Sequence, residues 1–165
     1  MARWLIKEEP DHYAWSDLVR DGRTEWDGVH NALALRHLRA MAPGDEAFVY
    51  HTGDERSCVG IARVTGRPHP DPADDRGSWS VEVRPVRPLP RPVPLAEIKA
   101  DPSLAGFILV RIGRLSVMPV SDREWGRVLA LAGSGREAVA VTRARPRAGR
   151  ATPKRGRAPA RRRKS

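Results

Sequence analysis

The sequence has 165 residues, and its 30 Lys and Arg residues against 20 Asp and Glu residues give a formal net charge of +10. Residues 143–165 hold 11 basic residues and no acidic one, so residues 1–142, with 19 basic and 20 acidic side chains, carry only −1. The longest uncharged apolar stretch, residues 104–110, is far shorter than the roughly 20 residues of a membrane-spanning helix. The composition therefore excludes a membrane protein and concentrates the positive charge at the C-terminus.

The composition divides the chain into a folded domain over residues 1–135 and a basic tail over residues 136–165. The last 23 residues contain no Val, Ile, Leu, Met, Phe, Tyr or Trp, so they have no apolar surface whose burial could offset the entropy cost of ordering them. We therefore predict a disordered tail that binds phosphate groups without sequence preference. The side chains expected to make these contacts are Arg155, Arg157, Arg161, Arg162, Arg163 and Lys164.

The first residues and the cysteine content restrict the compartment and the chemistry. Residues 1–11 are charged and lack the apolar core of a secretory signal. Cys58 is the only cysteine, which excludes an internal disulfide and any multi-cysteine zinc or iron–sulfur site. We expect a cytoplasmic, nucleic-acid-associated protein (nuclear in a eukaryote) that needs neither a metal nor a cofactor.

The first half of the chain contains both strand and helix patterns. A short apolar run predicts a first strand over 3–6, followed by a short helix over 17–21. Leucines at helical spacing predict an amphipathic helix over 32–41. Beyond this helix, apolar residues recur at every second position, which predicts an antiparallel pair of strands over 47–51 and 58–64.

Proline dominates the second half of the chain. Three prolines within 68–72 predict a loop that is neither strand nor helix. Residues 79–83 alternate as a half-buried strand does, and the five prolines within 85–94 hold the chain extended along a sheet edge, because proline cannot donate to a central ladder. Further predicted elements are a helix over 95–100, a strand over 115–117 and a helix that begins with the capping box 121–124.

These elements do not alternate regularly, and the sequence has no internal repeat. A doubly wound parallel sheet is therefore disfavoured. The pattern indicates an α+β fold in which a small barrel, open or closed, carries helices inserted between its strands.

The catalytic motifs with a recognised mechanical role are absent from the sequence: there is no Walker A loop, no G-x-G-x-x-G, no G-x-S-x-G and no H-E-x-x-H. Cys58 and His51 could form a nucleophile–base pair across a hairpin, but free cysteine is among the most buried residue types, which favours a core role for Cys58. The histidines His12, His30, His37, His51 and His69 are scattered without metal-like spacing.

Tryptophan is over-represented among the aromatic residues, at five of nine. Trp4, Tyr13, Trp15 and Trp26 all lie within the first 26 residues. A pocket for a planar base needs an aromatic face for stacking and polar groups for the base edge, and Trp26 with Asn31 and Glu8 could supply both. The alternative is that these tryptophans are ordinary core residues.

Seven short motifs follow one another along residues 2–132. They are Trp4-Leu5-Ile6-Lys7-Glu8-Glu9-Pro10, Trp26-Asp27-Gly28-Val29-His30-Asn31, Leu38-Arg39-Ala40-Met41, Gly44-Asp45, Val49-Tyr50-His51-Thr52, Val59-Gly60-Ile61-Ala62 and Arg114-Leu115-Ser116-Val117. In this order they resemble the EVE domain family. The resemblance implies a PUA-like fold, a small mixed β-barrel with helices packed at its rim, and it does not extend to the tail.

The resemblance also implies a function. EVE domains are thought to bind nucleic acid by flipping a modified base, best supported for modified cytosine in DNA, into an aromatic-walled pocket, without catalysis. The resemblance and the aromatic and polar residues noted above together predict a base-binding pocket of Lys7, Glu8, Trp26, Asn31, His51 and Ser116, with Tyr13, Trp15, His30 and Arg114 at its rim.

Three positions depart from the pattern of the family. Glu8 stands where the family usually has serine, His30 where it usually has arginine, and Ile112 near a usual glutamine. A carboxylate at position 8 accepts from the exocyclic amine of cytosine but repels phosphate and could fill the pocket. Glu8 therefore either sharpens the reading of cytosine or shrinks the site.

Three functional hypotheses remain open from the sequence. The first is a non-enzymatic reader whose pocket takes one flipped base of DNA or RNA while the tail supplies phosphate affinity. The second is an enzyme acting on a base or nucleotide in the same pocket, with Glu8, Glu9, His51 and Cys58 as acid–base candidates. The third is a small-molecule sensor or adaptor that the tail localises to nucleic acid.

Overall fold

The computed structural model describes residues 1–133, so the predicted basic tail and the last two residues of the predicted domain lie outside the described part. In chain order the elements are β1 (Arg3–Glu8), α1 (Trp15–Asp21), β2 (Thr24–Trp26), α2 (Ala32–Arg39), β3 (Glu46–His51), β4 (Ser57–Val64), β5 (His69–Pro70), β6 (Trp79–Pro94), α3 (Leu95–Ala100), a 3₁₀ turn (Pro102–Leu104), α4 (Ile108–Arg111), β7 (Val117–Pro119) and α5 (Asp122–Gly133).

One curled mixed sheet organises the domain. Its strand order is β2-β6-β4-β3-β1-β7, and β5 pairs with β6 outside that path. β1 and β3 run parallel, whereas every other pair is antiparallel. The sheet forms a half-barrel with several helices packed against it, which confirms the predicted α+β, barrel-like fold.

The core lies between the sheet and the helices. Leu5 and Ile6 of β1 and Phe48 of β3 are fully buried. Helix α5 covers this surface by stacking Trp125 on Phe48, with ring centroids 3.9 Å apart. The predicted capping box fixes the start of α5, because Ser121 Oγ accepts from the Glu124 amide and Glu124 Oε1 accepts from the Ser121 amide.

The proline-rich segment forms a single 16-residue strand with the residues before it. β2 pairs only with residues 81–83 of β6, and the proline-rich part pairs only with β4. The prediction of an extended edge over 85–94 is therefore confirmed. Proline fits here because an edge strand leaves one row of its backbone groups without a partner strand.

Two strands lie elsewhere than the sequence predicts. β1 continues two residues beyond 3–6, because its last residues pair with the end of β3. β7 occupies residues 117–119 instead of 115–117, because the Leu115 amide closes a turn onto the Ile112 carbonyl at 3.3 Å. The strand residues 117–119 pair with residues 4–6 of β1, so both strands depend on long-range pairing, which local patterns do not encode.

Other differences concern short elements and helix ends. α1 begins at Trp15 instead of residue 17, since the Asp17 carboxylate accepts from the Ala14 amide at 2.8 Å and stabilises the first turn. The segment 68–72, predicted to be a loop, contains a two-residue strand paired with the start of β6. Helix α2 ends two residues before the predicted end, and β2, α4 and the 3₁₀ turn were not predicted.

Residues 1–133 contain no helix with the length and apolar character needed to cross a bilayer.

Candidate functional site

Two of the predicted pocket segments meet at one edge of the sheet. β1 and β3 are parallel, so both end at the same edge, where Lys7 lies opposite Tyr50 and Glu8 lies opposite His51. β4 starts at this edge, and Cys58 pairs there with Tyr50. The segment 113–116 before β7 completes the group, since the Lys7 amide donates to the Ser116 carbonyl at 3.0 Å.

Lys7 places a positively charged ammonium group at this edge. Its Nζ donates to the Gly113 carbonyl at 2.8 Å and lies 5.3 Å from the centroid of the Tyr50 ring. Partial burial lowers the pKa of Lys7, against a smaller opposite contribution from Cys58. Arg114 is exposed on the same loop. The structure therefore places Lys7 against the loop that carries Arg114 and Ser116.

His51 has both ring nitrogens occupied. The Trp15 amide donates to Nε2 at 3.0 Å, so Nε2 must be the acceptor, and Nδ1 then donates to Glu55 Oε1 at 2.7 Å. His51 is only 6% exposed. This bonding holds the imidazole in one tautomer and ties the start of α1 to the end of β3.

Carboxylates extend the same edge. Glu8, whose side chain is 17% exposed, places Oε2 3.7 Å from His12 Nδ1. The neighbouring Glu9 accepts through Oε1 from the Thr52 hydroxyl at 2.8 Å. Two acidic residues thus follow the partly buried Lys7 in the sequence at this edge.

Trp26, His30 and Asn31 belong to a different part of the sheet, since three strands separate β2 from β1. Trp26 pairs with Val81 of β6 and is 3% exposed, as a core residue is. Asn31 caps α2, because its Oδ1 accepts from the Ala34 amide at 2.9 Å. Sheet pairing alone does not join these side chains to Lys7 and His51.

Two further predicted rim residues have defined surroundings. Tyr13 is 3% exposed, and its hydroxyl donates to Asp21 Oδ2 at 2.7 Å, so its ring lies in the core. His30 Nε2 lies 2.7 Å from Oδ2 of the buried Asp74. Hydrogen bonding to neighbours such as Ser78 and the Arg76 amide, followed by His30, holds the pKa of Asp74 well below its usual range.

Two open grooves lie away from the predicted pocket. One of about 650 Å³ runs between the 3₁₀ turn and α5. The other, of about 480 Å³, follows α2. None of the residues that line them belongs to the predicted pocket.

The comparison with known proteins decides the family. Residues 2–131 match the sequence profile of the EVE domain. The chain belongs to the EVE domain family. The resemblance found in the motifs is therefore confirmed.

Similar proteins come from animals and bacteria. Human thymocyte nuclear protein 1 is 32% identical over 165 residues, which cover 79% of this chain and 73% of that protein. The NMR structure of Rpa0253 from Rhodopseudomonas palustris has a TM-score of 0.76 and 40% identity, covering 81% of this chain and 94% of that chain. A crystal structure of human THYN1 protein in complex with 5-methylcytosine containing DNA has a TM-score of 0.73 and 29% identity, covering 82% of this chain and 99% of that chain.

A more distant structure shows the fold alone. The ASCH protein from Zymomonas mobilis is 12% identical, with a TM-score of 0.53 over 79% of this chain and 95% of that chain. The EVE domain described here thus shares its PUA-like architecture with ASCH.

Cys58 of this EVE domain is a core residue, as its strand position predicts. It is fully buried, and burial raises the pKa of its thiol to about 12, against a smaller lowering by Lys7. A thiol with this pKa is protonated at neutral pH and is a poor nucleophile. Together with the occupied nitrogens of His51, this removes the support for a cysteine–histidine pair.

Sequence reasoning missed the residues that hold the site together. Gly60 accommodates the Trp15 ring, Glu55 orients His51, and the Gly113 carbonyl accepts from Lys7. Only Gly60 carries a signal in the sequence, because glycine inside a strand often marks a close approach. Among residues 1–133 no group of three or more His, Cys, Asp and Glu side chains is arranged to hold a metal ion.

Proposed function

We propose that this EVE domain is a non-enzymatic nucleic-acid-binding protein that reads one flipped, modified base, with 5-methylcytosine in DNA as the first candidate. The observation that carries the proposal is the complex of human THYN1 protein with 5-methylcytosine containing DNA, a structure that matches this one over 82% of the chain at a TM-score of 0.73. The edge formed by β1 and β3 supports it, because the Lys7 ammonium group lies over the Tyr50 ring there.

The chemistry of this edge suits the Watson–Crick edge of cytosine. Cytosine presents an exocyclic amine as donor and ring acceptors beside it. Lys7 donates to such an acceptor, and the Ser116 hydroxyl supplies a further polar contact. Glu8 follows Lys7 in β1, so the two side chains leave opposite faces of the strand. A partly desolvated lysine binds a neutral base more strongly than a fully hydrated one, because less water competes for it.

Stacking is assigned to the aromatic side chains of the predicted pocket. The Trp26 ring is 3% exposed, so a base reaches it only if the residues that cover it move. Trp15, which is half-buried beside His51, is the accessible ring of the site.

The basic tail is proposed to supply the non-selective part of the affinity. Residues 143–165 carry 11 positive charges and no negative one, and a duplex attracts such a segment through counterion release. Affinity and selectivity would thus come from separate parts of the chain. A cytoplasmic location, in association with nucleic acid, fits this arrangement.

The test compares oligonucleotides that differ in a single methyl group. The full chain is titrated with paired single strands and duplexes, each carrying either cytosine or 5-methylcytosine at one position, at low and high salt. We expect a preference for the methylated member that persists at high salt, because the pocket contacts are short-ranged. Equal affinity for both members at every salt concentration would contradict a pocket that selects the modified base.

The same samples test the absence of catalysis. After incubation, the bases are released and identified by mass spectrometry, and we expect them to be unchanged. A converted base, formed by the wild-type chain and lost with Glu8→Gln, would replace the reader with an enzyme. A chain that loses all nucleic-acid binding when the tail is removed would instead be an adaptor.

A further inference from the structure

The loop after α4, whose Gly113 carbonyl accepts from Lys7, presents an exposed apolar side chain. Ile112 is 44% exposed, unlike Leu109 and Leu115 on either side, which are buried. Gly113, the next residue, has an exposed backbone, and a β-carbon at that position would meet no atom within 4 Å. The tip of the loop therefore projects a branched aliphatic group from a backbone that a large molecule can approach closely.

The backbone of this loop is anchored on both sides of Ile112. The Ile112 amide donates to the Ile108 carbonyl at 2.7 Å, and the Ile112 carbonyl accepts from Leu115 at 3.3 Å. Lys7 Nζ bonds the Gly113 carbonyl at 2.8 Å. The backbone of Ile112 is thus held in place before any ligand arrives, and Ile112 immediately precedes the glycine whose carbonyl accepts from Lys7.

Two arginines flank the exposed isoleucine. Arg111 and Arg114 are both exposed, and neither forms an ion pair or a side-chain hydrogen bond within residues 1–133. By contrast, Arg63 and Arg91 are paired with carboxylates. Arg111, the last residue of α4, and Arg114 therefore place two guanidinium groups on either side of an exposed apolar side chain. This arrangement complements nucleic acid, which has charged phosphates outside and stacked bases inside.

We propose that Ile112 inserts into a nucleic-acid duplex at the position vacated by the flipped base, while Arg111 and Arg114 bind the phosphates beside the gap. The inference rests on the proposed function. Flipping a base leaves its neighbours without a stacking partner, and an apolar side chain that enters the stack recovers part of this loss. The bond between Lys7 and Gly113 fixes the wedge next to the pocket.

The inserted side chain affects duplex binding and not single-strand binding. A single strand has no stack to refill, so the wedge contributes nothing to its affinity. In a duplex, the wedge lowers the cost of the flipped state. Ile112 should therefore matter for duplexes and not for single strands that carry the same modified base.

The experiment uses the full chain with Ile112→Ser and with Val86→Ser as the matched control, since Val86 is also an exposed aliphatic residue, at 38%, on β6. Affinities are measured for a duplex with one 5-methylcytosine and for the single strand of the same sequence. We expect Ile112→Ser to weaken duplex binding about tenfold, which is about 1.4 kcal/mol, and to leave single-strand binding unchanged. Ile112→Met should restore most of the loss.

A second readout follows the stack itself. With 2-aminopurine placed next to the target base, we expect a protein-dependent change in its fluorescence that Ile112→Ser abolishes and Val86→Ser preserves. Equal weakening of duplex and single strand by Ile112→Ser, or no effect on either, overturns the wedge. If the wild type shows no methyl preference, the reader proposal fails separately, and the ratio of duplex to single-strand affinity still tests the wedge.

Discussion

The indole ring of Trp15 lies so close to Gly60 that a β-carbon at that position would come within 2.6 Å of the ring. The contact matters for the site because the backbone amide of Trp15 donates to His51. Gly60 lies in β4, so its role is to leave room for the ring.

Gly60→Ala should therefore destabilise the domain by about 1–3 kcal/mol, the usual cost of overpacking a core. Urea denaturation measures the change. Gly126→Ala is the matched control, because a β-carbon there meets nothing within 4 Å and the position lies inside α5; it should stabilise by about 0.5–1 kcal/mol. A tolerated Gly60→Ala would show that the ring is free to move.

Cys58 should make the domain sensitive to alkali. The pKa of its thiol is raised from 9.0 to about 12, so between these values the unfolded chain has lost a proton that the folded chain retains. The free energy of unfolding must then fall as pH rises through this window. Tyr50, whose burial raises its pKa to about 12, acts in the same direction, whereas the lowered pKa of Lys7 opposes both.

Denaturation of the wild type and of Cys58→Ala, measured from neutral to alkaline pH, isolates this contribution. The variant is less stable at neutral pH because it lacks a buried group, but its stability should decline less steeply above pH 9.0. Parallel pH profiles for the two proteins would mean that the thiol does not titrate as described. In the native protein the thiol should also resist thiol reagents until the chain unfolds.

Asn31 has a structural role that can be separated from base binding. Asn31→Ala removes the cap of α2 and should cost about 1 kcal/mol. Asn31→Asp keeps an oxygen that accepts from the Ala34 amide but loses the amide donor. We expect Asn31→Asp to retain near-wild-type stability while losing preference for the methylated base. An unchanged preference would assign Asn31 to the helix cap alone.

The structural role of Trp26 must also be separated from its proposed role in base binding, because its ring is buried. Trp26→Ala should destabilise the domain by about 3–5 kcal/mol, which would obscure any effect on binding. Trp26→Phe keeps an apolar ring, and we expect it to reduce the methyl preference while leaving salt-dependent affinity intact. Trp125→Phe is the control, since Trp125 is buried against Phe48; it should lower stability without affecting the preference.

Removal of residues 143–165 tests the proposed division between affinity and selectivity. If about four to six tail charges neutralise phosphates, log K falls with log salt at a slope of about −4 to −5, and truncation should remove this slope. The ratio of affinities for methylated and unmethylated DNA should stay the same. A salt slope that survives truncation would move the phosphate contacts to the folded domain.

Local chemistry was sufficient to predict several elements. The capping box starts α5 as its sequence predicts, because Ser121 and Glu124 satisfy each other's amides over three residues. Helix α3 has the predicted bounds 95–100. The prolines of β6 restrict the backbone wherever they occur, so the extended edge could be predicted without knowledge of its partner.

Features that depend on distant partners could not be predicted. β2 is a strand because it pairs with residues 81–83, more than 50 positions later in the chain, and no three-residue pattern signals this. The tautomer of His51 is set by Trp15, 36 residues away in sequence. The family resemblance helped to predict Trp26 and Asn31 as site residues. The sequence does not reveal that Trp26 is buried and that Asn31 caps a helix, as the structure shows.

The position of β1 between β3 and β7 has a consequence for biosynthesis. Within residues 1–133, β1 is the first strand in chain order and pairs on one side with β7, the last strand, and Lys7 bonds a carbonyl 106 residues later. One edge of β1 therefore stays open until almost the whole domain has been made, and an unpaired edge is a site for aggregation. A nascent chain that stops before residue 117 would expose that edge, so the proposed base-binding site and the protection from aggregation would be completed in the same late step.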